Sequence, residues 1–277
     1  MYYVNFNGKI HLSGEPVLLA SNRGFRYGDG LFETIKVVNG RIQLEGYHFE
    51  RLFSGLLLLK YEMPGLFTEE KLKDLIIQLC QKNKCINLAR VRLSVFRGNG
   101  GLYDDDRSLQ YMIECWPLSH SICKLNDNGL AIDIFPDARK SCDKFSNLKS
   151  ANFLLYSMAA LYAKEHKVND CLVLNTLGNI ADSSIANVFI LKDGIVSTPA
   201  LGQGCVNGVM RKYVIQKMRD VGCQVLESKI LIEDVETADE IFLTNAITGI
   251  RWVKQFRDIR YLNEKINEIY GYVVKEN

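Results

Sequence analysis

The chain has 277 residues, 47% of them hydrophobic and 24% charged, enough to bury one large domain or two ordinary ones without disulfide or metal support. Lys and Arg number 34 against 32 Asp and Glu, and the formal charge of +2 excludes the lopsided basic field of a general nucleic-acid binder. The longest nearly uncharged apolar stretch, 153–163, is too short for a bilayer and no basic-then-apolar leader opens the chain, so a cytoplasmic protein with no membrane partner is expected.

Residues 2–12 alternate about Asn7-Gly8, and 31–38 with 41–44 do the same about Asn39-Gly40, so two hairpins are predicted. Helical spacing follows at 45–61 and 68–82, broken by Pro64-Gly65, and strands return at 87–96 and 109–115. The polar stretch 117–129 reads as a linker, giving domains 1–118 and 129–277 around residues 119–128. Beyond it come strands at 130–135, 170–175, 187–191, 224–228 and 240–244, a nearly all-apolar helix at 152–164, a helix at 208–221 and a closing amphipathic helix at 262–274.

Eight cysteines lack any C-x-x-C pair and four histidines lack H-E-x-x-H, so buried free thiols and no metal site are expected. Lys149 lies just before the apolar helix. Burial and a helix's positive end would both lower its pKa and free a nucleophilic amine; a solvated loop lysine is the plain alternative. Asp182, set among small residues before a strand, either caps a helix or bonds its own backbone, or else holds a proton on a cofactor ring nitrogen. Gly208-Val209-Met210-Arg211 opens a helix whose free N–H groups suit an anion, as any helix start does. Arg51, in His48-x-x-Arg51-Leu52, is either a phosphate ligand or half of a surface ion pair. The loop 23–30, with Gly28 and Gly30, has no strand directly before it, which rejects a dinucleotide fingerprint and leaves a tight functional loop.

Taken in order, these segments resemble the class IV pyridoxal-phosphate enzymes of fold type IV: branched-chain aminotransferases, D-amino-acid aminotransferases and aminodeoxychorismate lyases. The likeness covers nearly the whole chain. It comprises the first hairpin, RGFRYGDGLFET at 23–34, His48-x-x-Arg51-Leu52, the arginine strand with Arg97-Gly98, Lys149-x-x-Asn152, 182–189, 208–211 and Asp239-Glu240-Ile241-Phe242. Each motif alone is weak, and eight in the family's order are specific.

The resemblance implies a two-domain α/β (α+β) fold, with a smaller N-terminal α/β domain, a larger C-terminal domain containing a barrel-like sheet, and pyridoxal 5'-phosphate between them. It also implies a homodimer. Lys149 would hold the coenzyme aldehyde and shuttle the proton, and Arg51 would bind the phosphate with the backbone of Val209 and Met210 and the segment Thr244-Asn245-Ala246. Asp182 would be the ring-nitrogen acid, where the family usually has Glu. Tyr27, Phe32 and Arg92 would line the substrate side, Arg92 matching an arginine of branched-chain enzymes. Leu102 stands where D-amino-acid aminotransferases and many of the lyases carry a substrate-binding arginine. The implied activity is transamination between a small aliphatic amino acid and a 2-keto acid; the alternatives are aminodeoxychorismate lyase and a weakly catalytic coenzyme-binding protein.

Overall fold

The computed structural model describes residues 2–274. The chain divides into two compact units, one running through Ser121 and including Leu148–Asn152, the other made of Ile122–Asn147 and the chain from Phe153 on. The lysine segment therefore groups with the first unit, where the domain reading 129–277 put it in the second. Residues 119–128 are no bare linker. His120–Cys123 forms a 3-10 helix, and Asn126 exchanges two hydrogen bonds of 3.0 Å with the main chain of Trp252.

In the first unit the elements are β1 (Tyr3–Phe6), β2 (Lys9–Leu12), α1 (Arg23–Tyr27), β3 (Gly30–Val38), β4 (Arg41–Ile42), α2 (Glu45–Leu58), α3 (Glu69–Lys82), β5 (Leu88–Arg97) and β6 (Leu109–Pro117). The strands form one antiparallel sheet in the order β2-β1-β6-β5-β3-β4. Both hairpin turns carry positive φ at their Asn and Gly, the backbone that a two-residue turn between twisted strands requires. Thr68 caps α3 by accepting from Lys71 N–H at 3.2 Å, with Glu69 and Glu70 favourably placed in its first turn. Leu52 and Leu56 of α2 and Leu72, Ile76 and Leu79 of α3 bury their helical stripe against Ile35, Val37, Val91 and Leu93 of the sheet. The loop at 23–30 is not irregular throughout: Asn22 caps the five-residue α1, which stops at Gly28 in the left-handed region, φ 63°.

The second unit contains β7 (Leu130–Ile134), α4 (Leu154–Glu165), β8 (Asp170–Leu174), β9 (Ile180–Ser183), β10 (Asn187–Lys192), β11 (Ile195–Pro199), α5 (Val209–Asp220), β12 (Val225–Ser228), α6 (Ile232–Glu236), β13 (Glu240–Asn245), β14 (Gly249–Phe256), β15 (Ile259–Arg260) and α7 (Glu264–Val274). Its mixed sheet runs β12-β11-β10-β13-β14-β7-β8-β9, with β15 on β14. The sheet curls into a half-barrel, so β9 at its end returns beside β10. Strands β8, β9 and β13 are buried almost throughout, which is why they read as runs rather than alternations.

The apolar helix departs from expectation. It begins at Leu154, and only Tyr156, Ala159 and Ala163 are buried, against Phe135, Cys171 and Val173. Leu154, Met158 and Leu161 face outward. One face of this helix meets β8, so its apolar composition does not mean burial all round. Among the described residues no helix is long and apolar enough to cross a membrane.

Candidate active site

Lys149 is fixed by main-chain pairing to the start of β3. Phe32 N–H donates to Lys149 O at 2.9 Å, Ala151 N–H donates to Gly30 O at 2.8 Å, and Leu31 bridges Ser150. The expected place at a helix's positive end is corrected, because α4 starts five residues later; a strand edge holds the lysine instead. Its side chain is half-buried, with Nζ 4.7 Å from the centre of the Phe32 ring. Phe32 is buried, and the Arg92 guanidinium lies 3.9 Å from the same ring while its Nε donates to Ser94 Oγ at 3.1 Å. The first unit thus gathers an amine, a second cation and an aromatic wall. Tyr27 ends α1 and is exposed.

Arg51, on α2, is no surface ion pair. Its Nε and Nη2 donate to the two oxygens of Glu33 at 2.8 and 2.5 Å, and His48 Nδ1 meets Glu33 Oε2 at 2.6 Å. Glu33 and His48 are buried. Burial pushes the Glu33 carboxyl up, but the Arg51 guanidinium and His48 pull harder the other way and bring its pKa down to about 2. The result is a bidentate charge pair that fixes the plane of the guanidinium.

In the second unit, the Asp182 carboxylate on β9 bonds to side chains and main chain from other parts of the chain rather than to its own backbone. Oδ2 accepts from Lys140 Nζ at 2.8 Å, Tyr156 Oη at 2.7 Å and Val206 N–H at 3.0 Å, and Oδ1 accepts from Asn187 Nδ2 at 3.0 Å. Asp182 and Lys140 are both buried, and breaking such a pair would leave an uncompensated charge. Val206 N–H also lies 3.3 Å from Oδ1, so four donors already meet the about four lone-pair sites of the carboxylate, and a protonated ring nitrogen would have to share Oδ1 with them. Burial, and then the Asp182 charge, raise the Tyr156 phenol well above its ordinary value, which keeps it a donor.

Gly208 precedes α5 and offers no side-chain cap, leaving the first-turn N–H groups at Val209 and Met210 to an outside acceptor. Gly208 is needed for space rather than for backbone freedom: its φ is −67°, and a Cβ there would lie 1.8 Å from Asn187 Oδ1. Across the sheet from Asn187 stands Thr244, whose Oγ1 is buried and has no hydrogen-bond partner among the described residues. Next to it, Asn245 Oδ1 accepts from Ile247 N–H and Thr248 N–H, which shapes the turn at Ala246. An uncapped helix start beside an orphaned hydroxyl is the donor set a phosphate dianion needs. The residues present fit pyridoxal 5'-phosphate in each unit taken by itself: the second offers phosphate donors and a buried, firmly held acid, and the first a fixed lysine.

Sequence reasoning did not single out Glu33, Lys140 or Tyr156. Glu33 lies within the 23–34 motif but nothing in that motif points to its role, and no local pattern marks Lys140 or Tyr156, because each acquires its role from a partner 15 to 42 residues away.

The family model for amino-transferase class IV matches residues 30–256. A putative branched-chain-amino-acid aminotransferase of Methanocaldococcus jannaschii is 28% identical over 264 residues, covering 95% of this chain and 90% of that protein. The aminodeoxychorismate lyase of Bacillus subtilis is 29% identical over 272 residues, covering 94% and 88%. The branched-chain aminotransferase of Thermoproteus uzoniensis superposes with a TM-score of 0.86 at 22% identity, over 98% of this chain and 93% of that one, and so shares the fold. The chain belongs to the class IV aminotransferase family, enzymes that depend on pyridoxal 5'-phosphate.

Proposed function

We propose that this enzyme moves an amino group between a small aliphatic amino acid and a 2-keto acid in two half-reactions. Bound pyridoxal 5'-phosphate supplies an electron sink for the carbanion formed at the substrate's α-carbon. Lys149 would hold the coenzyme through its side chain, and its Nζ would take the substrate's α-proton and return it. Arg51 would bind phosphate with its guanidinium plane held by Glu33, and the N–H groups of Val209 and Met210, Thr244 Oγ1 and the turn at Asn245-Ala246 would complete the donor set. Asp182 keeps a proton on the pyridine nitrogen, with Lys140, Tyr156 and Asn187 holding its carboxylate still. Asp182 is shorter than the usual Glu by one methylene.

The observation that carries this reading is the sharing of one buried ring by Lys149 Nζ and the Arg92 guanidinium. Arg92 can pair with a substrate carboxylate near the amine, and the exposed Tyr27 offers apolar surface to an aliphatic side chain, with the buried Phe32 ring lying beneath the two cations. Aminodeoxychorismate lyase is the second reading, favoured by the 29% identity to the Bacillus subtilis enzyme. Incubation with leucine or norvaline and 2-oxoglutarate separates the two. Glutamate formation supports the transaminase; 4-aminobenzoate and pyruvate from aminodeoxychorismate, with no glutamate from any amino acid, overturns it.

A further inference from the structure

We propose that Cys80, Cys85 and Cys115 form a closed three-sulfur site for a cuprous ion. All three are free and buried, every pair of Sγ atoms lies within 4.8 Å, and Cys85 and Cys115 are 3.6 Å apart. This inference is independent of the coenzyme reading.

The three thiols come from the end of α3, the turn that follows it and β6. Cys80 lies in the last turn of α3, and the chain then reverses through Asn83 and Lys84, the latter at φ 55°. Cys85 N–H donates to Cys80 O at 2.9 Å, so the turn that ends the helix sets two sulfurs side by side. The third comes from β6, where Cys115 pairs with Val91 of β5. Asn83 locks the arrangement: its Nδ2 donates to Cys115 Sγ at 3.1 Å and to Tyr3 O at 2.8 Å, while its Oδ1 accepts from Tyr3 N–H at 2.9 Å. An amide N–H aimed at a sulfur is the kind of support that orients a metal ligand.

The donor set selects the ion. Soft sulfur ligands favour Cu(I), zinc and iron–sulfur clusters. Structural zinc takes four protein ligands and clusters take four cysteines, whereas among the described residues no fourth Cys, His, Asp or Glu joins this group. The Asn83 carboxamide is already committed between Tyr3 and Cys115. A d10 cuprous ion accepts two or three sulfurs without a further ligand. On binding, two S–H bonds break and release their protons to solvent, two Cu–S bonds form, and the third sulfur coordinates as a neutral thiol; no electron moves. The spacing test on the sequence misses this site because its ligands lie 5 and 30 residues apart.

The test uses holoenzyme with the more accessible thiols removed (Cys123→Ser, Cys142→Ser, Cys223→Ser), titrated under argon with Cu(I)-bicinchoninate. The protein should withdraw a single Cu(I) per chain from the chelator, and X-ray absorption should show sulfur neighbours only, three in number. Adding Cys85→Ser should weaken binding by more than the roughly 10–100-fold typical of losing a ligand's supporting hydrogen bond. Failure to compete with the chelator, nitrogen or oxygen neighbours, or binding indifferent to Cys85→Ser would each overturn the proposal. The X-ray absorption measurement needs no buried substitution, so it decides the question even where Cys85→Ser does not fold.

Discussion

Lys140 and Asp182, 42 residues apart, meet as a buried ion pair at 2.8 Å. The pair sets the charge environment of the proposed ring-nitrogen acid. Lys140→Met keeps the volume of the chain but leaves the carboxylate with uncharged donors alone, and stability should fall by about 3–5 kcal/mol. Urea denaturation of the coenzyme-free protein measures this. A loss below about 1 kcal/mol, the range of an exposed pair, would mean that Asp182 does not depend on Lys140.

Glu33 gives a pH dependence with a definite sign. Its carboxyl has an ordinary value of 4.5 and falls to about 2 in the fold, so its stabilisation is complete above 4.5 and disappears as pH drops towards 2. The shift corresponds to an order-of-magnitude contribution of about 3 kcal/mol. Denaturation curves across that window should show Glu33→Gln losing this part of the acid dependence, along with weaker coenzyme binding through the released Arg51. An unchanged acid profile would contradict the buried charge pair.

Gly208→Ala tests the anion cradle by space alone. The added methyl would overlap Asn187 Oδ1, forcing Asn187 away from Asp182 or the start of α5 away from Asn187. Overpacking of this kind typically costs about 1–3 kcal/mol, and phosphate-anchored coenzyme affinity should fall with it. Equal binding of pyridoxal 5'-phosphate by variant and parent in fluorescence titration would remove Gly208 from the site.

Local chemistry made much of the fold legible. Both Asn-Gly hairpins, the Thr68 start of α3 and the opening of α5 depend on residues within a few positions of one another. β14 escaped because a register shift between Val253 and Gln255 breaks its alternation, and β9 because all four of its residues are buried. The surroundings of Asp182 escaped for a different reason: Lys140, Tyr156 and Asn187 converge only once the sheet has curled. The composition of α4 misled because a helix can bury three positions and still present Leu154, Met158 and Leu161 to the outside.

The role of Lys149 is decided by reducing the enzyme with borohydride in the presence of pyridoxal 5'-phosphate and mapping the modified peptide. A pyridoxyl group on Lys149, absent from Lys149→Ala although that variant still binds the coenzyme, is the expected result. A stable adduct on any other lysine, or none at all, would contradict it.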